Sequence, residues 1–244
     1  MMYSDLHTHT TFSDGKNTPE EMVLSAIEKG LKTIGISDHS VTAFDSSYCM
    51  KAEQISDYIK EIERLKEKYR DKIEVLCGIE QDLYSPKVDY KFDYIIGSVH
   101  YIKVQDNYVP VDLSAQVLKD AAEKYFGGDI FPLIEEYYRA VSTVAVETGA
   151  DIIGHFDLIT KFQEKMLLFD ENDQRYIKAW KLAVDKLIKA DIPFEINYGA
   201  ISRGYRTTPY PAKNIRDYII KKGGRFVYSS DSHNASTIAS FKDL

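Results

Sequence analysis

The chain has 244 residues, 44% of them hydrophobic and 28% charged, with two cysteines and a net charge of −7. That balance excludes a collagenous, disordered or disulfide-framed chain. Its acidity disfavours non-specific nucleic-acid binding, which depends on Lys and Arg neutralising phosphates.

No apolar run approaches the roughly 18 residues of a membrane span. The opening MMYSDLHTHT lacks the basic and apolar regions of a secretion signal. With only Cys49 and Cys77, this predicts a cytoplasmic protein with reduced thiols. In chain order, the first strand is expected at 2–6. A helix follows at 18–29, signalled by Thr18 as cap, Pro19, Glu21 and a closing Gly30. A strand at 33–37, a helix at 52–69 and strands at 74–78 and 94–99 come next. Residues 114–148 read as two helices divided near Gly127-Gly128. Then come a strand at 151–154, a helix at 173–190, a strand at 194–197, a helix at 212–222 and a last strand at 225–229. The strands are rich in Ile, Val, Phe and Tyr, as doubly buried strands are. Seven strands with mostly helical connections predict one parallel α/β domain over 1–244, and a barrel suits them at least as well as an open sheet.

The six histidines decide the functional reading. His7 and His9 follow the first strand, His39 the second, His100 the fourth, His155 the fifth and His233 the last. In a parallel barrel these are the C-terminal strand ends, where active sites gather. One such histidine is usually a satisfied structural residue; six at one topological position are not. His7 and His9 are two apart in extended chain and point to one face, so both rings can reach one metal. Asp231 and His233 repeat that spacing.

Carboxylates accompany them. Asp14 lies in the turn after the first strand and Glu80 just past the third. Asp38, before His39, is expected either to orient that ring or to face solvent. Six histidines with Asp14, Glu80 and Asp231 make nine candidate ligands. Mixed imidazole and carboxylate donors suit Zn, Mn or Fe better than an all-oxygen Ca or Mg cage. Nine are too many for one tetrahedral ion and suit two or three, with a carboxylate bridging a pair. Adjacent metals generate hydroxide near neutral pH and clamp attacking and leaving oxygens.

The pattern resembles the PHP (polymerase and histidinol phosphatase) family, closest to the monofunctional histidinol-phosphate phosphatases. The resemblance rests on DLHTHTTFSDG at 5–15, ISDHS at 36–40, GIEQD at 78–82, GSVHY at 97–101, GHFDLI at 154–159, EIN at 195–197 and SSDSH at 229–233, in family order. It implies a distorted (β/α)7 TIM-like barrel with a trinuclear metal site. By that resemblance His7, His9, Glu80 and Asp231 hold the first metal. Glu80 bridges to a second completed by His100 and His155. His39 and His233, joined by Asp14, hold the third. Glu80, Asp231 and His233 are the candidate catalytic residues. Three divalent ions would offset most of the −7 charge, leaving a mouth able to attract phosphate.

The implied reaction is phosphomonoester hydrolysis by a metal-bridging hydroxide, with L-histidinol phosphate as the expected substrate in histidine biosynthesis. Lys161, Arg203 and Arg206 are the candidate phosphate contacts. Tyr101 and Tyr198 are candidates for stacking on an imidazole. The alternatives are another small phosphomonoester or nucleotide phosphodiesters, an amidohydrolase, and a non-enzymatic metal protein. Net charge and the lack of a basic aromatic groove disfavour nucleic acid. The position of Glu80 and the Asp231–His233 pair disfavour an amidohydrolase, and the complete ligand set disfavours a scaffold. The partner is therefore a small phosphorylated substrate, with no membrane. Gly127-Gly128 and Gly223-Gly224 lack the Lys-Ser/Thr of a nucleotide loop. Specificity is expected in loops 81–92, 101–113 and 201–211.

Overall fold

The computed structural model describes residues 4–243. Its strands are β1 (Ser4–Asp5), β2 (Thr33–Ile36), β3 (Glu74–Asp82), β4 (Tyr94–Ser98), β5 (Tyr101–Val104), β6 (Asn107–Pro110), β7 (Ile152–Ile153), β8 (Phe194–Asn197) and β9 (Phe226–Ser229). Its helices are α1 (Pro19–Glu28), α2 (Ile55–Tyr69), α3 (Ala115–Phe126), α4 (Phe131–Val141), α5 (Val144–Thr148), α6 (Gln174–Leu187), α7 (Gly199–Ser202) and α8 (Lys213–Lys221). Seven strands form one parallel sheet in the order β1-β2-β3-β4-β7-β8-β9, with helices between them.

The two ends of that sheet meet. Past β1 and β9 the chain pairs in parallel at Thr8 and Ser232, where His9 N donates to Ser232 O at 2.8 Å and Ser232 N to His7 O at 3.2 Å. Asp5 reinforces the closure: its carboxylate accepts from Ser230 N at 3.1 Å, Ser230 Oγ at 2.5 Å and Ala239 N at 2.9 Å. The sheet is thus a (β/α)7 TIM-like barrel, joined at the end that carries the histidines. Tyr94 fills space that Gly35 and Gly78 leave. A Cβ on either glycine would come within 2.2 Å of the Tyr94 ring or hydroxyl, and that hydroxyl donates to Leu6 O at 2.6 Å.

Local sequence explains the helices. Thr18 and Glu21 form the reciprocal capping box, with Glu21 N to Thr18 Oγ1 at 3.3 Å and Thr18 N to Glu21 Oε2 at 2.7 Å. The apolar faces of α4 and α6 meet in the larger apolar cluster through Leu133, Tyr137, Tyr138, Tyr176 and Trp180, all buried. A second cluster, with Met22, Ile34, Tyr58 and Ile62, lies under α1 and α2.

Several boundaries differ from the sequence reading. The expected strand 2–6 begins outside the described residues and is seen as Ser4–Asp5. β3 runs on to Asp82, because the register with β4 continues to the Asp82–Ser98 pair. The strand expected at 151–154 shrinks to Ile152–Ile153. Region 114–148 holds three helices: Ser142 Oγ and Thr143 Oγ1 bond back to Arg139 O and Ala140 O, and α4 stops there. The expected loop 101–113 contains a β5–β6 hairpin, turning at Gln105 with φ 56°. Among the described residues no helix is long and apolar enough to cross a membrane.

Candidate metal centre

Each expected ligand projects from the closed end of the barrel. The bridge between Thr8 and Ser232 fixes His7 and His9 beside Asp231. A bridge between His39 and Glu80 aligns the ends of β2 and β3. Glu80 sits at the middle. Its Oε2 lies 3.3 Å from His7 Nε2, 3.6 Å from His9 Nε2 and 2.7 Å from His39 Nδ1. Its Oε1 lies 2.8 Å from His155 Nε2 and 3.4 Å from His100 Nε2. Asp231 Oδ1 is 3.4 Å from His9 Nε2. Asp14 Oδ1 is 3.3 Å from His233 Nε2 and 3.6 Å from His39 Nε2.

All nine expected ligands fall into four overlapping groups whose donor atoms lie within 4.8 Å of one another. They are His7, His9 and Asp231; His7, Glu80 and His155; His39, Glu80 and His100; and His9, Asp14, His39 and His233. The expected third set thus gathers as a unit and gains His9, while His39 also stands beside Glu80.

These side chains fit metal better than they fit one another. His7 Nε2 and both His9 nitrogens are buried without a hydrogen-bond partner among the described residues. Buried orphans cost roughly 1–3 kcal/mol each, and divalent cations would satisfy them. Burial, together with the nearby His233 and His39 rings, holds His9 well below its ordinary pKa, so it is a neutral donor. Burial pushes Glu80 up, but His7, His39 and His100 overcome this and keep it ionised. Burial also acts on Asp231, yet Arg203 and His7 hold it well below the usual carboxylate range. Asp231 adopts φ 49°, a region that Asp tolerates better than most residues. Gly199 makes room for it: a Cβ there would meet Asp231 Oδ2 at 2.5 Å and Arg203 Nη2 at 2.7 Å.

The model of the PHP domain matches residues 5–199. The chain belongs to the PHP domain family. A Schizosaccharomyces pombe protein named "Probable histidinol-phosphatase" is 25% identical over 240 residues, spanning 88% of this chain and 74% of that one. The Bacillus subtilis histidinol-phosphatase is 24% identical over 271 residues, spanning 98% and 96%. The solved histidinol phosphate phosphatase of Lactococcus lactis, complexed with Zn, L-histidinol and phosphate, superposes with a TM-score of 0.72 at 21% identity, covering 96% of this chain and 87% of that one. At that identity it supports the fold.

In this PHP barrel a cavity of about 350 Å³ opens on the centre, and Lys161, Arg203 and Tyr101 line it. Arg203 Nη1 donates to Asp231 O at 2.9 Å, and Nη2 to Asp231 Oδ2 at 3.0 Å. Lys161 Nζ donates to Asp112 O at 2.9 Å and Oδ2 at 3.1 Å. Arg206 and Tyr198 are absent from the lining. Arg206 is buried, bonding Thr160 Oγ1 and stacking 4.7 Å from the Tyr210 ring centroid. Tyr198 packs towards Phe241, 6.1 Å between centroids. Asp38 neither orients His39 nor meets solvent. It is fully buried and accepts from Thr10 N, Thr10 Oγ1 and Ser13 Oγ, which holds the loop leading to Asp14.

Sequence reasoning assigned no role to three supporting residues. Glu195 Oε1 lies 2.6 Å from His7 Nδ1, and its Oε2 accepts from His155 N at 2.9 Å. Asn197 Nδ2 donates to both Glu195 Oε2 and Asp231 Oδ2. Asp82 Oδ2 accepts from His100 N at 2.9 Å and lies 3.3 Å from its Nδ1. The available signal was polar residues at alternate positions in the fully buried β8 run Phe-Glu-Ile-Asn.

Proposed function

We propose that this protein is a metal-dependent phosphomonoesterase that hydrolyses L-histidinol phosphate to L-histidinol and phosphate, as a single barrel domain over 1–244 and a cytoplasmic step of histidine biosynthesis. The observation that carries the reading is the convergence of six imidazoles and three carboxylates in overlapping donor groups, with His39, His100, His155, His233 and the three carboxylates lining one cavity and His7 and His9 fully buried beside them. Full-length relatives named as histidinol-phosphatases support the substrate, and the Lactococcus protein binds Zn, L-histidinol and phosphate.

Three divalent ions suit the donor set. His7, His9, Glu80 and Asp231 would hold one, Glu80, His100 and His155 another, and Asp14, His39 and His233 the third. Such ions supply Lewis acidity towards phosphoryl oxygens and make water nucleophilic near neutral pH. The chain's own residues do the rest. Glu80, central among five rings, keeps the donors in register. Asp231 anchors the Arg203 guanidinium at the cavity wall, with Arg203 Nη1 2.9 Å from His233 Nδ1. Arg203 is thereby held to meet equatorial phosphate oxygens, where charge accumulates in phosphoryl transfer. Lys161 adds a positive charge tempered by Asp112. His233, half-buried in the cavity lining, would offer its imidazole to the leaving group.

The test is a substrate panel. The metal-loaded enzyme is expected to turn over L-histidinol phosphate with kcat/KM at least tenfold above other small phosphomonoesters. It is expected to leave single-stranded DNA essentially uncut. Faster cleavage of DNA than of any phosphomonoester would replace this reading with a nuclease.

A further inference from the structure

Five carboxylates line the cavity: Asp14, Glu80, Asp231, Asp45 and Asp112. The first three belong to the tight donor groups; Asp45 and Asp112 belong to none. A cavity built only for a phosphate dianion gains nothing from two further negative charges, because like charges repel. Asp112 is neutralised in place by Lys161, at 3.1 Å. Asp45 has no cationic partner within 4.0 Å among the described residues. Its neighbours are hydroxyl and amide groups: Tyr101 Oη at 2.6 Å, Ser47 Oγ at 2.6 Å and Ser47 N at 3.0 Å.

The surroundings of Asp45 hold it in position. Phe44 stacks face to face on Tyr108 of the hairpin, 3.8 Å between centroids at 6°. Tyr101, also on the hairpin, packs edge-on to Phe44 at 4.9 Å and fixes the Asp45 carboxylate through its hydroxyl. Tyr48 bridges from this wall to the metal centre, 6.3 Å from the Tyr101 ring and 4.9 Å from that of His39. Asp45 therefore stands two aromatic rings, Tyr101 and Tyr48, away from the ligand His39, on the wall of the same cavity.

We infer that Asp45 is a specificity residue: it receives a cationic ammonium on the leaving group of the substrate, and so selects amino-alcohol phosphates over phosphates that carry no amine. This rests on the phosphatase reading and adds to it the group that reads the substrate's far end. Oδ1 already accepts from Ser47 N and Ser47 Oγ, whereas Oδ2 accepts only from Tyr101 Oη and keeps a lone pair for a charge-assisted bond to an ammonium, worth roughly tenfold or more in affinity.

The experiment compares kcat/KM for L-histidinol phosphate with that for its des-amino analogue, imidazolylpropyl phosphate, at a pH where free imidazole is neutral. The wild-type ratio is expected to exceed roughly tenfold. In Asp45→Asn, which retains an oxygen for Tyr101, the ratio is expected to collapse towards one, mainly through KM. In Tyr101→Phe, which keeps the charge, it is expected to stay within about threefold of wild type. L-histidinol binding, followed by calorimetry in the presence of inorganic phosphate, is expected to weaken in parallel in Asp45→Asn. An unchanged ratio in Asp45→Asn, or loss of the ratio in Asp112→Asn alone, overturns the assignment and leaves the phosphatase reading intact. Failure of the wild type to hydrolyse either ester overturns both.

Discussion

Glu195 holds His7 from behind: its Oε1 lies 2.6 Å from His7 Nδ1, while His7 Nε2 points, unpaired, at the centre. The carboxylate thus fixes which nitrogen is left to bind a cation and where it points. It does so while supported by Ser229 Oγ, Asn197 Nδ2 and His155 N. Partners behind a ligating histidine typically contribute 10–100-fold to metal affinity. Glu195→Gln is expected to raise the concentration of free metal needed for half-occupancy by roughly 10–100-fold. Equilibrium dialysis with elemental analysis reads this directly. Wild-type metal content at limiting metal would contradict it.

Gly199 is expected to be intolerant of even a methyl group. The added Cβ would press on Asp231 and Arg203 together, 2.5 and 2.7 Å away, so one of two groups central to the site must move. Shifts of about 1 Å near reacting atoms cost on the order of a hundredfold in rate. Gly199→Ala is expected to lose at least tenfold in kcat/KM with only a small change in melting temperature. Wild-type kinetics would show that the neighbours yield freely.

The donor set was legible because it combines two simple signals: ligating residue types, and their place just after apolar runs. The supporting carboxylates were not, because an acid inside a buried strand reads locally as a flaw in the strand. Only the tertiary pairing of Glu195 with His7 gives it a purpose. The β5–β6 hairpin was hidden for a different reason. Its turn at Gln105-Asp106 puts a non-glycine residue at positive φ, so the Asn-Gly or Asp-Gly marker of tight hairpins is missing. Arg206 had the charge expected of a phosphate contact, but burial beside Asp157 at 4.0 Å turns it into a structural cation.

Stability is expected to depend on the α4–α6 contact. Leu133 is fully buried within the larger apolar cluster, whereas Val146 on α5 is 79% exposed. Leu133→Ala is expected to cost about 2–5 kcal/mol by urea denaturation. Val146→Ala should stay within about 0.5 kcal/mol. Similar losses at both positions would contradict the packing described.

Glu20 is a surface contributor to acid sensitivity. Bonds from Lys68, Tyr69 and Arg64 lower the Glu20 pKa from 4.5 to about 2. A depressed carboxylate stabilises the folded state fully above its unfolded value. That contribution fades as pH falls from about 4.5 towards about 2. Glu20→Gln is therefore expected to lower stability at neutral pH and to flatten the loss between those limits, as followed by melting temperature against pH. An unchanged acid limb would show that solvent already screens the cluster.

The most direct test of the account is phosphate release from L-histidinol phosphate by chelator-stripped protein titrated with Mn²⁺, Zn²⁺ or Fe²⁺. The stripped protein is expected to be silent and the titrated one active. Glu80→Gln, which weakens the residue shared by two of the proposed ion sites, is expected to lose at least a hundredfold, as removal of groups central to transition-state stabilisation does. No phosphate release with any of the three metals, or full activity in Glu80→Gln, would contradict the claim that these nine side chains form a hydrolytic metal centre.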